Sequence, residues 1–263
     1  MLKKLIIFII LIIGLSSQLF AKKEKLYISV ASSLYSVSKS LAIEWEKKNN
    51  IDLIIVTGPT SLISRQIYNG QNSDLIITAN RDWLNWLDNK QLINIKNAEI
   101  VAKNSLVFSS GINQGFYIDV NSKSFKNDFL EQISSSMFPI PHPSTVPLGI
   151  YAKQALESMD LWDSLKNKFV FTASSQANLK FLSNGDSLVG ISYKSDVISS
   201  SKILIVAEIN ESIFKYDKPT YWAAKITRNG NKKDFGFLNW LKSNEAQKII
   251  KSFGFEPINE TEG

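Results

Sequence analysis

The chain of 263 residues contains no cysteine and a single histidine, His142. The absence of cysteine excludes disulfide bonds, thiolate zinc sites and cysteine nucleophiles. One imidazole excludes His-rich metal sites and every mechanism that needs two histidines. Basic and acidic residues are mixed along the chain, so the net charge of +6 indicates general solubility and gives no sign of a nucleic-acid-binding surface.

The N-terminus has the pattern of a secretory signal peptide over residues 1–21. Lys3 and Lys4 give a positive start, residues 5–15 form an apolar run, and the segment ends on the small residue Ala21. The run is shorter than the roughly 20 apolar residues of a membrane-spanning helix. We therefore expect export and cleavage near Ala21, and a soluble mature protein. The alternative is an uncleaved membrane anchor.

Further along, short apolar runs alternate with segments of helical period. This alternation predicts βαβ units and a largely parallel sheet covered by helices on both faces. Two short helices are predicted within 235–253, and 139–147 is predicted to be a loop. The predicted strands are 26–30, 51–56, 75–78, 106–108, 188–192 and 203–206.

The length suits one large domain or two modest lobes. The pattern restarts in mid-chain without a repeat or a flexible connector, which predicts two interleaved α/β lobes that cross at extended hinge segments. The predicted division assigns 22–103 with 220–263 to lobe I and 104–219 to lobe II.

Four loops with hydroxyl or glycine residues lead directly into predicted helices, at 31–34, 58–62, 146–149 and 173–177. Free backbone N–H groups at a helix start can hold an anion without any lysine or arginine. One such loop alone is more typical of an ordinary N-cap. Their number in both halves favours an anion site made of donors, which suits a fully ionised anion and rejects a protonated one.

Several longer blocks carry a family resemblance: Val30-Ala31-Ser32-Ser33-Leu34, Ser73-Asp74-Leu75-Ile76-Ile77-Thr78-Ala79, Val146-Pro147-Leu148-Gly149-Ile150-Tyr151-Ala152 and Gly190-Ile191-Ser192-Tyr193-Lys194-Ser195-Asp196. In order and spacing, nearly the whole mature chain resembles the periplasmic molybdate-binding proteins of ABC transporters. The resemblance implies a type II periplasmic binding protein fold with a ligand cleft between the lobes. It implies capture of molybdate or tungstate by a monomeric, non-enzymatic periplasmic protein, without cofactor or metal-cation site, and delivery to a membrane permease.

Carried over by position, the resemblance assigns the oxyanion donors. They are the hydroxyls of Ser33, Thr60 and Tyr193 and the backbone amides of Leu148 and Ser175. The family usually has serine in place of Thr60, alanine in place of Leu148, and valine followed by arginine in place of Ser175 and Gln176. His142 stands where the family often has an acidic residue, and as a lone loop histidine it is expected at the surface.

Other interpretations stay open at this point. A different oxyanion, such as sulfate or thiosulfate, is an alternative ligand. A secreted serine hydrolase would need His142 as its base, and the chain has no Gly-x-Ser-x-Gly motif. An alternative interpretation of Tyr193 is a core tyrosine whose hydroxyl is satisfied by a hydrogen bond. The charges of Arg65 and Asp74 are expected to be structural.

Overall fold

The computed structural model describes residues 23–228 and 233–258. The predicted signal peptide, 1–21, lies outside the described residues. Among the residues that are described, no helix has the length and apolar character needed to cross a bilayer. The fold is mixed α/β and contains two main sheets.

The first sheet has five strands in the order β2-β1-β3-β10-β4. The strands β1, β2 and β3 run parallel, whereas β10 is antiparallel to β3 and β4. The predictions of β1 to β3 are confirmed. The apolar pattern does not predict β4 and β10, because each begins with a polar residue, ends in lysine and is only partly buried. Their bounds are β1 Glu24–Ala31, β2 Ile51–Gly58, β3 Leu75–Thr78, β4 Glu99–Lys103 and β10 Thr220–Lys225.

Helices cover both faces of this sheet. On one face, Leu26 and Val30 pack with Trp45 and with Phe237 of the C-terminal helices. On the other face, Ile76 packs among buried residues of the two helices that flank β3. The two predicted C-terminal helices are confirmed. The helices are α1 Tyr35–Lys48, α2 Thr60–Tyr68, α3 Asp82–Asn89, α9 Phe237–Leu241 and α10 Asn244–Ser252.

The second sheet has three strands in the order β8-β5-β9, and both of its pairings are antiparallel. The expectation of a largely parallel sheet is therefore wrong for this half. Parallel pairing returns only in the separate pair β6 and β7. The bounds are β5 Leu106–Gly111, β6 Phe138–Pro141, β7 Phe169–Thr172, β8 Gly190–Tyr193 and β9 Ile203–Ile209.

Strand β6 lies where the sequence predicts the start of a proline-rich loop, so that prediction is wrong for residues 139–141. The N–H of His142 donates to Thr172 O at 3.1 Å. Since N–H groups alternate in direction along a strand, the missing donors of Pro139 and Pro141 both face away from β7. The prolines are thus compatible with a strand that pairs on one side.

Five helices pack on this half: α4 Phe125–Gln132, α5 Pro147–Ser158, α6 Trp162–Leu165, α7 Ser175–Ser183 and α8 Lys194–Ile198. The start of α5 lies directly against the end of β6. A Cβ atom on Gly149 would come within 2.1 Å of the Pro141 carbonyl oxygen. Glycine is therefore required for the close approach that holds the N-terminus of α5 in place.

The chain passes between the two halves after β4 and again before β10. The two crossing segments are joined by a hydrogen bond from Asn104 N to Pro219 O at 2.8 Å. The first sheet thus takes strands from both ends of the chain and the second from the middle, which confirms the interleaved α/β architecture. The residue boundaries of the two lobes stay a prediction.

Candidate anion-binding site

All four predicted loop-to-helix junctions are helix starts in the structure. A short 3-10 turn at Ser32–Leu34 leads into α1, and α2, α5 and α7 begin at Thr60, Pro147 and Ser175. Of these four starts, only the last has a side-chain cap. There, Ser174 Oγ accepts from Ala177 N at 3.0 Å. The amides of the first helical turn have no acceptor within their own helix, so these starts present N–H donors.

The five residues predicted to bind the anion come from both halves of the molecule, and every one is buried. Their exposed fractions are 7% for Ser33, 2% for Thr60, 1% for Leu148, 3% for Ser175 and 1% for Tyr193. An anion held by these groups would be withdrawn from bulk water.

Three of these residues belong to one contact network. Ser32 Oγ lies 3.4 Å from Ser175 Oγ, so the first junction touches the fourth across the two halves. The Tyr221 hydroxyl donates to Ser33 Oγ at 2.9 Å. The ring of Tyr221 lies 6.2 Å from that of Tyr193. Ser33, Ser175 and Tyr193 are therefore brought together.

A second set of contacts involves Thr60 and the helix α5 that carries Leu148. The N–H of Ala79, just after β3, donates to Thr60 Oγ1 at 3.4 Å. The Tyr151 hydroxyl donates to Ala79 O at 3.1 Å. Tyr151 follows Leu148 by three residues on α5, so this bond connects the start of α2 to the start of α5 across the two halves. Within residues 23–228 and 233–258, no hydrogen bond directly links this group with the network around Ser33.

The hydroxyl oxygens of Ser33 and Thr60 both act as acceptors within the protein. Each accepts a hydrogen bond from the protein, Ser33 from Tyr221 and Thr60 from Ala79 N. Asn104 Nδ2 in turn donates to the Tyr221 hydroxyl at 3.3 Å. Since a hydroxyl has one hydrogen and two lone pairs, the hydrogens of Ser33 and Thr60 remain available to a ligand oxygen.

Tyr193 is a buried tyrosine whose hydroxyl has no hydrogen-bond partner among the described residues. Burial holds the pKa of Tyr193 well above its usual range, so the hydroxyl keeps its proton and is a donor at neutral pH. Tyr193 is thus a core tyrosine, as the alternative interpretation expects, but no described residue satisfies its hydroxyl. A ligand oxygen would supply the missing acceptor.

Beside Ser33, a cleft of about 360 Å³ opens between the two halves. Ser33 and Ser36 line one side, and Gln176, Asp196 and Lys202 line the other. Of the five predicted site residues, only Ser33 lines this cleft. The other four are not among its lining residues.

The remaining polar candidates have structural positions, as predicted. His142 is exposed, and its Nδ1 accepts from Ser144 N at 3.3 Å. No hydrogen bond joins His142 to a serine hydroxyl within the part of the chain that the structure describes, so no serine–histidine pair for a hydrolase is assembled. Arg65 lies 5.6 Å from the ring of Trp83, and Asp74 Oδ2 accepts from Tyr27 N at 2.8 Å.

Sequence reasoning missed three residues of the site: Asn104, Asp196 and Tyr221. Asp196 lies in the block 190–196 that carries the family resemblance, which was the available signal for it. Tyr221 lies in β10, and the apolar pattern does not reveal that strand. All three are defined by contacts between distant segments, such as the bond from Asn104 Nδ2 to Ser195 Oγ at 2.8 Å.

Comparison with known proteins places this geometry among bacterial solute-binding proteins. A family model described as bacterial extracellular solute-binding protein matches residues 26–256. The molybdate-binding protein ModA of Escherichia coli is 27% identical over 238 residues, which cover 89% of this chain and 90% of that protein.

Two solved structures are similar over most of the chain. The substrate-binding domain of a putative molybdenum ABC transporter from Clostridium difficile has a TM-score of 0.67 and 27% identity, covering 89% of this chain and 99% of that one. The periplasmic molybdate-binding protein of Azotobacter vinelandii has a TM-score of 0.74 and 20% identity, covering 88% and 98%. The similarity therefore includes both halves of the fold.

Proposed function

The chain belongs to the bacterial extracellular solute-binding protein family, and we propose that it captures molybdate between its two lobes and delivers it to an ABC importer. Tungstate has the same shape and charge and is bound by the same donors. The mature protein acts in the periplasm as a monomer, without a cofactor and without catalysis. Its macromolecular partner is the membrane permease of the importer.

The observation that carries this proposal is the buried Tyr193 hydroxyl without a partner. A buried polar group that stays unpaired costs about 1–3 kcal/mol. Such a group persists where a ligand completes its hydrogen bonding. Tyr193 lies beside Tyr221, which bonds to Ser33, so the missing acceptor is expected within the candidate site.

The donor set explains why the ligand is a fully ionised tetrahedral anion. The hydroxyls of Ser33, Thr60 and Tyr193 and the amides of Leu148 and Ser175 are all neutral donors. Molybdate offers only lone pairs, so every one of its contacts can be met by such donors. Neutral donors also hold a dianion without permanent ion pairs, which suits a carrier that must release its cargo.

The test is a calorimetric titration of the purified mature protein, 22–263, with molybdate, tungstate, sulfate and phosphate. We expect saturable binding of molybdate and tungstate at one anion per chain, weaker binding of the smaller sulfate, and no binding of protonated phosphate. A saturable response to sulfate alone would reassign the ligand. No response to any of the four anions would refute the proposal.

The site assignment has its own test. Ser33→Ala and Thr60→Ala each remove one donor to a buried charge, which should weaken molybdate binding by about 1–3 kcal/mol. Ser135→Ala is the matched control, because Ser135 is exposed and lies outside the candidate site. If both site variants bind molybdate like the parent protein, the assigned site is wrong even when binding itself is confirmed.

A further inference from the structure

Asp196 is a buried carboxyl at the edge of a site otherwise made of donors. Its side chain is 4% exposed and lines the cleft beside Ser33. Oδ1 accepts from Gln176 Nε2 at 3.0 Å, whereas Oδ2 is buried without a hydrogen-bond partner among the described residues. If Asp196 were ionised, its charge would be buried, and only one of its two oxygens would accept a hydrogen bond from a neutral group.

The carboxyl is connected to the proposed anion donors through one residue. Ser175 begins α7, its amide is one of the assigned donors, and its side chain interacts with Asp196. Burial raises the pKa of Asp196 to about 7, and the interactions with Ser175 and Gln176 oppose this rise only in part. A dianion bound at the start of α7 would disfavour the ionised carboxylate further.

Charged and titratable groups around Asp196 come from several elements. Lys180 of α7 and Lys202, just before β9, line the same cleft. The hydroxyls of Tyr193 on β8 and Tyr221 on β10 interact electrostatically with the carboxyl. Among the described residues that line this cleft, Asp196 is the one acid. Among the described residues no cation is hydrogen-bonded to the carboxyl, and its amide partner Gln176 is neutral.

We propose that Asp196 is a positioning residue that couples anion capture to the uptake of one proton, so that the dianion is bound with the Asp196 carboxyl neutral. This inference rests on the proposed function and concerns the same site. The proton comes from solvent and is returned to it when the anion leaves. In its neutral form the carboxyl keeps Ser175 and Gln176 in place at the start of α7 without adding a repelling charge.

The sign of the pH dependence follows from the direction of proton uptake. Below about pH 7 the carboxyl is already neutral in the free protein, so affinity should not change with pH. Above that pH, binding must first protonate Asp196. The affinity constant should then fall by up to about tenfold for each further pH unit.

The experiment measures molybdate binding to the mature protein from about pH 6 to about pH 9, in two buffers that differ in ionisation enthalpy. The buffer dependence of the binding heat gives the number of protons taken up for each anion. We expect a value near zero at the acidic end and near one about a pH unit above the midpoint. This measurement needs no variant.

Two variants and two controls separate proton coupling from a merely structural role. Asp196→Asn should bind with the same affinity at every pH and more tightly than the parent at the alkaline end. Gln176→Arg places a cation beside the carboxyl, so the pH-dependent range should move to lower pH. Asp186→Asn, an exposed acid on the same half, and His142→Asn should both keep the parent profile.

Each outcome supports or overturns the inference. Binding without proton uptake at any pH would overturn it and leave the proposed function standing. A uniform loss of affinity in Asp196→Asn, with the pH slope retained, would make Asp196 a structural residue only and assign the proton to another group. No binding at any pH would refute the proposed function, and this inference with it.

Discussion

Removing the Tyr193 hydroxyl is expected to stabilise the free protein and weaken its ligand binding. Tyr193→Phe keeps the buried ring and deletes a hydroxyl that has no partner among the described residues. The unpaired group costs about 1–3 kcal/mol, so its removal should raise the free energy of unfolding of the ligand-free protein by about 1 kcal/mol. For a chain of this size, that corresponds to a rise in Tm of about 2–4 °C.

The same change removes a proposed donor to a charged ligand. A hydrogen bond to a charged group contributes about 1.5–3 kcal/mol, so the affinity for molybdate should fall by about 10-fold to 150-fold. Stability and affinity thus move in opposite directions. Thermal unfolding without ligand and calorimetry with molybdate measure the two quantities on one preparation.

Tyr221→Phe is the matched control. Tyr221 is equally buried and its ring lies 6.2 Å from that of Tyr193, but its hydroxyl donates to Ser33 and accepts from Asn104. Removing this hydroxyl leaves partners unpaired, so the free protein should lose stability. If Tyr193→Phe destabilises the free protein as much as Tyr221→Phe and leaves molybdate affinity unchanged, the Tyr193 hydroxyl is not a ligand donor.

Two further predictions concern how the site is held together. Gly149→Ala should lower the free energy of unfolding by about 1–3 kcal/mol or more, because the new Cβ would overlap the Pro141 carbonyl oxygen. Thermal unfolding measures this effect. A Tm equal to that of the parent would contradict the packing. Tyr151→Phe removes the bond to Ala79 O between the two halves and should weaken molybdate binding by about 0.5–1.5 kcal/mol, measured by calorimetry. Unchanged affinity would show that this contact does not support the bound state.

Much of the local structure could be predicted from the sequence. The buried strand over 75–78 is a continuous apolar run, and the structure places β3 at the same residues. The four helix starts follow from hydroxyl and glycine residues placed between a strand and an amphipathic segment. Both signals depend on neighbours along the chain, which is why periodicity and capping chemistry are sufficient to find them.

Strand direction in the second half could not be predicted in this way. The apolar runs at 106–108 and 203–206 look like those of a parallel sheet, but β5 and β9 pair antiparallel. The composition of a short apolar run indicates that the strand is buried, but it does not indicate which strand it pairs with. Similarly, Pro139 and Pro141 are typical of a loop, and only the one-sided pairing of β6 makes them compatible with a strand.

The sequence by itself thus determined the helix starts and most of the strands, and it predicted the donor residues of the candidate site. The tertiary structure decided what each polar group meets. Ser33 and Tyr221 are 188 positions apart, and their contact leaves the hydrogen of the Ser33 hydroxyl available to a ligand oxygen. The missing partner of Tyr193 and the buried oxygen of Asp196 are likewise properties of the packed fold, because burial and hydrogen bonding arise only when distant segments are brought together.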